Sequence, residues 1–250
     1  EDQMKNYSIS FFAVTLFILL FAYQTNAQVT LQLGAGLGYA TPTGDFGGNT
    51  TEFYKGTKYG LESGFNYHAK ARVGLLFLNI FGELGYTTFS GEGDATPGQE
   101  NIKLSNNVFS IKAGPEFPIT IPLSPITPYL MGFVAVNTFS GEVEFQGVSD
   151  VPSGTYELAS ATRVGIGGGG GVTFSAGPLK LDLSIQYHLI NFTGNEYKIE
   201  NVTSHERLDN YTSLNDGADP AYVNGSNAHF IQDDRGIGAM EFKVTAMFGL

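Results

Sequence analysis

A two-residue rhythm of apolar side chains constrains this chain more than any other feature. It begins near Val29 and recurs until the last residues. In an extended strand successive side chains point to opposite faces, so residues two apart share a face. Val29, Leu31, Leu33, Ala35, Leu37 and Tyr39 oppose Thr30, Gln32, Gly34, Gly36 and Gly38. Phe65, Tyr67, Ala69, Ala71, Val73 and Leu75 alternate with Asn66, His68, Lys70, Arg72 and Gly74. The cleanest stretch sets Leu179, Leu181, Leu183, Ile185, Tyr187 and Leu189 against Lys180, Asp182, Ser184, Gln186 and His188. Five more run over 80–87 (where Phe81 breaks the pattern), 109–117, 129–137 (apolar on both faces), 163–175 and 240–248. With 33 Gly, 20 Phe and 13 Tyr, the chain is rich in strand and turn formers rather than helix formers. The expected class is all-β, with eight antiparallel strands.

The spacing between strands adds topology. Long connections, about Thr41–Ser63, Ser90–Asn106, Thr138–Thr162 and Thr193–Arg235, alternate with short ones near Phe77, Pro118–Thr127 and Ala176–Pro178. The final loop is expected to extend the seventh and eighth strands. Strict long–short alternation and an even strand count fit an up-and-down meander that closes on itself. Strands of about ten residues match the ~9–11 that cross a bilayer, where closure is obligatory because an open edge cannot be hydrated. The polar face is poor in charge and rich in glycine, a weak coat for water but one that fits inside a narrow barrel. Tyr39, Phe65, Tyr67, Tyr86, Phe109, Phe117, Tyr129, Phe174, Tyr187, Phe192 and Phe248 gather near strand ends, as aromatic girdles do.

At the start, Met4-Lys5-Asn6, an apolar run from Ile9 to Tyr23 and Thr25-Asn26-Ala27 have the three parts of a cleaved secretory signal. Glu1, Asp2 and Gln3 precede that natural start. Residues 1–27 are therefore read as the signal peptide with its pre-start residues, and 28–250 as one outer-membrane β-barrel domain. With 0 Cys, disulfides, thiol chemistry and a lipid anchor on cysteine are excluded. A net charge of −11 disfavours nucleic acid as a partner.

The signal, the eight alternating strands and the terminal segment Glu241-Phe242-Lys243-Val244-Thr245-Ala246-Met247-Phe248-Gly249-Leu250 together resemble the small OmpA/OmpX-type outer-membrane β-barrel domain family. The likeness is one of pattern across the whole mature chain. It implies an eight-stranded antiparallel up-and-down transmembrane β-barrel after a cleaved signal peptide, in the Gram-negative cell outer membrane. It also implies periplasmic N- and C-termini and partners in outer-membrane lipid and the barrel-assembly machinery. The family usually ends on an aromatic residue; this chain ends on Leu250, with Phe248 two before it on the same face.

On that reading Lys70, Arg72, Lys112, Lys180 and Lys243 share the lumen with Glu83, Glu116, Asp182 and Glu241. Buried charges must be paired, and Glu83 is the expected partner of Lys70 or Arg72. The excess negative charge falls on the loops, chiefly Glu196, Glu200, Glu206, Asp209, Asp216, Asp219, Asp233 and Asp234. Gly165-Ile166-Gly167-Gly168-Gly169-Gly170 matches a dinucleotide fingerprint in letters, but no helix follows to face a pyrophosphate. Ser184, His188 and Asp182, with His68 nearby, raise the question of a hydrolase, yet all point inward. The aspartates of the last loop lack calcium-loop spacing. Asn49, Asn191, Asn201 and Asn210 head glycosylation-like triplets, read only as polar loop residues. The expectation is therefore no enzyme, and no catalytic, cofactor-binding or metal residue. The expected role is a plugged polar lumen carrying acidic extracellular loops, serving structure, adhesion to a ligand or surface, or envelope integrity. A narrow pore for small solutes and a soluble lipocalin-like barrel are the alternatives.

Overall fold

The computed structural model describes residues 30–75, 77–198, 206–222 and 230–249. The expected signal peptide over 1–27 lies outside them, as do Glu200, Asn201 and Leu250. Eight strands pair antiparallel in sequence order and close into a barrel. They are β1 (Thr30–Gly44), β2 (Ser63–Gly74), β3 (Asn79–Thr96), β4 (Gln99–Pro118), β5 (Ile126–Gln146), β6 (Gly154–Ala176), β7 (Leu179–Thr193) and β8 (Ile237–Gly249). Two short helices, α1 (Thr50–Tyr54) and α2 (Glu206–Thr212), sit in the connections after β1 and β7. The ring closes where β1 meets β8, with Tyr39 opposite Phe242 and Leu33 opposite Phe248.

The apolar face of the alternation points outward. Leu37, Phe65, Leu84, Ile111, Val134, Ile185 and Val244, on seven different strands, are all exposed. The polar face points inward, and Gln32, His68, Lys70, Glu83, Lys112, Asp182 and Lys243 are buried. A continuous apolar belt around a closed sheet far exceeds the few hundred Å² that water-soluble monomers leave bare. A soluble lipocalin-like barrel has the opposite polarity. Among the described residues no helix is long and apolar enough to cross a membrane.

Two of the expected loops are sheet. Residues 90–106 continue β3 and β4 to a tight turn at Pro97-Gly98, where Gly98 takes φ +81. That is the second central position of a type II turn, open to glycine. Most of 138–162 likewise extends β5 and β6, and β6 reaches 23 residues. At ~3.3 Å per residue such a strand is on the order of 75 Å long, well beyond what a bilayer needs. Along these extensions the parity persists, apart from one bulge in β6 between Leu158 and Ala161, but the chemistry inverts. Ser90, Glu92, Lys103, Ser140, Glu142 and Gln146 now face outward, while Phe89, Ala95, Ile102, Leu104, Val108, Phe139, Val143 and Phe145 are buried inside. The seam lies where Tyr86 gives way to Thr88, Phe109 to Asn107, Val136 to Thr138 and Val164 to Thr162. Below it the barrel is built for lipid; above it, for water.

The last loop departs from expectation in the other direction. It does not extend its strands: β7 stops at Thr193 and β8 starts at Ile237. Instead, α2 with Leu214 joins Phe46, Phe53, Tyr59 and Leu61 of the first loop in one apolar core at the long-strand end. Helix α1 is fixed by a capping box in which Asn49 accepts from the Glu52 amide at 2.9 Å and Glu52 accepts from the Asn49 amide at 3.1 Å.

Candidate functional site

The lumen is lined by side chains that the register brings together from strands distant in sequence. Lys70 and Arg72 of β2, Glu116 of β4 and Asp182 of β7 form one quartet. Lys70 Nζ lies 2.5 Å from Glu116 and 3.3 Å from Asp182. Arg72 pairs with both carboxylates as well. Lys112 of β4, Lys243 and Glu241 of β8 and Glu83 of β3 form a second. Lys112 and Lys243 reach Glu241 at 2.5 and 2.6 Å, Lys243 also pairs with Glu83, and Lys112 stands 3.7 Å from Glu83. Each quartet holds two cations and two anions, so its formal charge cancels. That balance matters because an uncompensated buried charge costs several kcal/mol.

This arrangement corrects the expected pairing. Glu83 is opposite both Lys70 and Lys112 in register, yet it serves Lys112 and Lys243 rather than Lys70 or Arg72. The long ammonium stems reach across the narrow lumen, so backbone register alone does not select the partner. Lys180, expected inside, is only partly buried at the turn end of β7 and belongs to neither quartet.

The lumen is not wholly polar. Phe81, Tyr129, Met131, Phe133 and Ala135 make a second buried cluster. This explains why the fifth strand is apolar on both faces and why Phe81 breaks the third. Tyr129, expected in the outer girdle, lies inside: its hydroxyl donates to Asp182 at 2.5 Å, while Leu130 takes the outward position. The rings also lie against the cations, with Lys70 Nζ 5.1 Å from the Phe81 centroid and Lys112 Nζ 5.1 Å from that of Phe133. Such contacts stabilise desolvated cations. Room for the rings comes from the glycine run of β6. A Cβ on Gly167 would stand 2.3 Å from Phe133 Cζ, and one on Gly171 would stand 2.5 Å from the Tyr129 hydroxyl. The dinucleotide-like glycines are thus the smooth wall of a crowded barrel, in the middle of a strand.

The residues considered for hydrolysis do not converge. Asp182 is held by Lys70, Arg72 and Tyr129. His188 lies 3.8 Å from Glu241 and packs edge-on against Phe133, while Ser184 is buried on the same inward face. His68 contacts Asn66 and Thr245 at 2.8 Å each. Among the described residues no group of three or more His, Cys, Asp and Glu is placed to hold a metal ion.

Above the quartets the last loop is pinned across the mouth by contacts that no sequence pattern announces. Arg163 of β6 grips Asp216, with its two closest contacts at 2.7 and 3.0 Å. Asn191 donates to Asp216 and to the Arg235 carbonyl, both at 2.9 Å, and accepts from the Ile237 amide. Arg235 stacks 4.0 Å from the Tyr59 ring. Arg163 can be assigned inward from its parity, but the 53-residue separation from Asp216 leaves no periodic signal. Three acidic residues expected to be solvated, Asp209, Asp216 and Asp219, are in fact buried, whereas Asp233 and Asp234 are exposed. Asn49 caps α1, and Asn191 and Asn210 are buried, so these three glycosylation-like triplets have structural uses.

A closed eight-stranded barrel with an apolar belt and a charge-balanced interior defines an integral membrane β-barrel. Residues 12–206 match the family model described as outer membrane protein beta-barrel domain, and the chain belongs to that family. It is accordingly a protein of the Gram-negative cell outer membrane. No curated protein sequence gives a significant match. Among solved structures it is similar to Neisserial surface protein A (16% identity, 87% of this chain and 96% of that one, TM-score 0.48). It is also similar to a major outer membrane protein from Thermus thermophilus (12% identity, 88% and 99%, TM-score 0.48). A third is Ail, the attachment invasion locus protein of Yersinia pestis (14% identity, 90% and 100%, TM-score 0.40).

Proposed function

We propose that this chain is a non-conducting, non-catalytic outer-membrane barrel that displays a water-folded acidic head, serving adhesion or envelope integrity. The observation that carries this reading is what occupies the lumen at membrane level: two neutral ion quartets, an aromatic layer beside them, and the Arg163–Asp216 latch above. The candidate nucleophile and base are held within that packing, which supports a structural rather than a chemical role.

The orientation that fits places the long-strand end outside the cell and both termini in the periplasm, following the loop asymmetry of such barrels. The display surface is then the outer wall of the extensions more than the loop tips. Glu92, Asp94, Glu142 and Glu157 stand exposed there, with Glu144 half-buried and Lys103 among them. Residues 1–27 serve as the cleaved signal. The outward-facing Phe248 near the C-terminus is the feature offered to the barrel-assembly machinery, and outer-membrane lipid covers the belt. Planar-bilayer recording on refolded protein tests the reading. A quiet membrane is expected; reproducible single-channel steps would replace the plugged barrel with a narrow pore.

A further inference from the structure

The connection between β4 and β5 shows a surface that a turn standing in water has no reason to carry. Residues 117–128 hold no charged side chain and four of the chain's 10 prolines, Pro118, Pro122, Pro125 and Pro128. Ile119, Ile121 and Leu123 are exposed, Leu123 completely. Leu123 also stands at φ +61. The Ser124 amide donates to the Ile121 carbonyl at 3.2 Å, so Leu123 follows Pro122 at the second central position of the turn, where a positive φ favours glycine or asparagine. A leucine there strains the backbone, and exposure to water returns nothing for it. The turn is also sparing with backbone donors, since each proline removes one. Ile119 donates to the Pro128 carbonyl at 2.7 Å and Ile126 to the Ser124 hydroxyl at 3.1 Å. The Pro125 carbonyl accepts from the Ser175 amide at 3.0 Å, which braces the turn against the end of β6.

We propose that this turn is a membrane anchor, with Ile121 and Leu123 inserted among the lipids of the leaflet at the short-turn end. The occupant is lipid because the surface continues from Phe117 and Ile119 of the apolar belt and carries no charge of its own. The inference rests on the reading that lipid covers the outward face. Depth follows from the strand. Ile119 lies ten residues beyond Phe109, the first apolar outward position below the seam. That is ~33 Å along the strand and, at a tilt of ~40°, ~25 Å of height, the height of such a belt. Ile121 and Leu123 therefore stand where acyl chains give way to headgroups, the boundary at which apolar side chains of surface-bound segments are buried. Irregular backbone fits that boundary better than the hydrocarbon centre, where every polar group needs a partner within the protein.

With 0 Trp in the chain, a single introduced tryptophan reports its own surroundings. Leu123→Trp is compared with Leu130→Trp in the belt and Gln146→Trp on the outer wall of the head, both exposed positions. Each is refolded into phosphatidylcholine nanodiscs, whose two faces are open to solvent. Leu123→Trp should emit to the blue of Gln146→Trp, with acrylamide quenching several-fold weaker. Brominated acyl chains should quench it, more when the bromines lie near the headgroup than at mid-chain, whereas Leu130→Trp should show the opposite order. Emission and acrylamide quenching equal to those of Gln146→Trp, with no bromine effect, would overturn the proposal. The turn would then face water, as it must if a periplasmic protein covers it. If Leu130→Trp also escapes the bromines, the lipid belt itself is wrong and both readings fall. Should Leu123→Trp lack the heat-dependent gel mobility of a folded barrel, Ile121→Trp replaces it and is judged on the same outcomes.

Discussion

Glu83 shows how much one lumen residue carries. It is one of two carboxylates that neutralise Lys112 and Lys243. Glu83→Leu leaves both buried ammonium groups with Glu241 as their one remaining carboxylate. Removing one partner of a buried ionic cluster costs about 3–5 kcal/mol, and a loss of that order is expected in the urea unfolding of refolded protein. Combining Glu83→Leu with Lys243→Met restores a one-to-one pairing and should recover most of the loss. If the double variant is no more stable than the single one, the quartet is not a charge-balanced unit. Gly167 makes the complementary steric case. A Cβ there would meet Phe133 Cζ at 2.3 Å and the Tyr187 carbonyl oxygen at 2.5 Å. Gly167→Val should therefore destabilise by ~1–3 kcal/mol, and Phe133→Leu should relieve only the side-chain part.

Strands and loops differ in how far their sequence announces them. The seventh strand is readable in full because each of its outward residues is apolar and nearly every inward one polar. The extensions of β3 to β6 read as loops because their outward positions turn polar at Thr88, Asn107, Thr138 and Thr162. The two-residue period survives there, broken once by the β6 bulge, with its chemistry exchanged, which a search for apolar-outward strands misses. The lumen's membership is largely legible from parity, but its pairings are not. Partners such as Arg72 and Asp182 lie 110 residues apart, and only barrel closure joins them. The latch on the last loop is equally hidden. Asp216→Ala leaves Arg163 with Glu196, whose side chain is 41% exposed, as its remaining carboxylate. Limited proteolysis should then cut within 194–236 several-fold faster while the strands stay protected. Unchanged cleavage would mean that α2 and its apolar contacts hold the loop without the latch.

At the scale of the whole molecule, two cores meet at one seam and depend on different solvents. The barrel below it is stabilised by inter-strand bonding and ion pairs within a lipid belt. The head above it is stabilised by apolar burial from water, centred on Phe46, Phe89, Phe139, Phe145 and Tyr211. The two should therefore come apart under a stress that acts on only one. Alkali is such a stress, because burial raises the phenol pKa of Tyr59, Tyr197 and Tyr211, all outside the membrane strands. A raised folded-state pKa means that the neutral phenol is favoured by folding. Its contribution is complete below the unfolded value of about 10 and is lost as pH climbs toward the folded value. For the deeply buried Tyr59 and Tyr211 the loss approaches ~1.4 kcal/mol per phenol for each pH unit in that window. Above pH ~10 the head should open first, exposing these phenols to late, cooperative ionisation and the 194–236 segment to protease. The strand circular dichroism should persist, since the strands are held by inter-strand bonding and their inward ion pairs are buried. Simultaneous loss of phenol protection and strand signal would show instead that head and barrel fold as one cooperative unit.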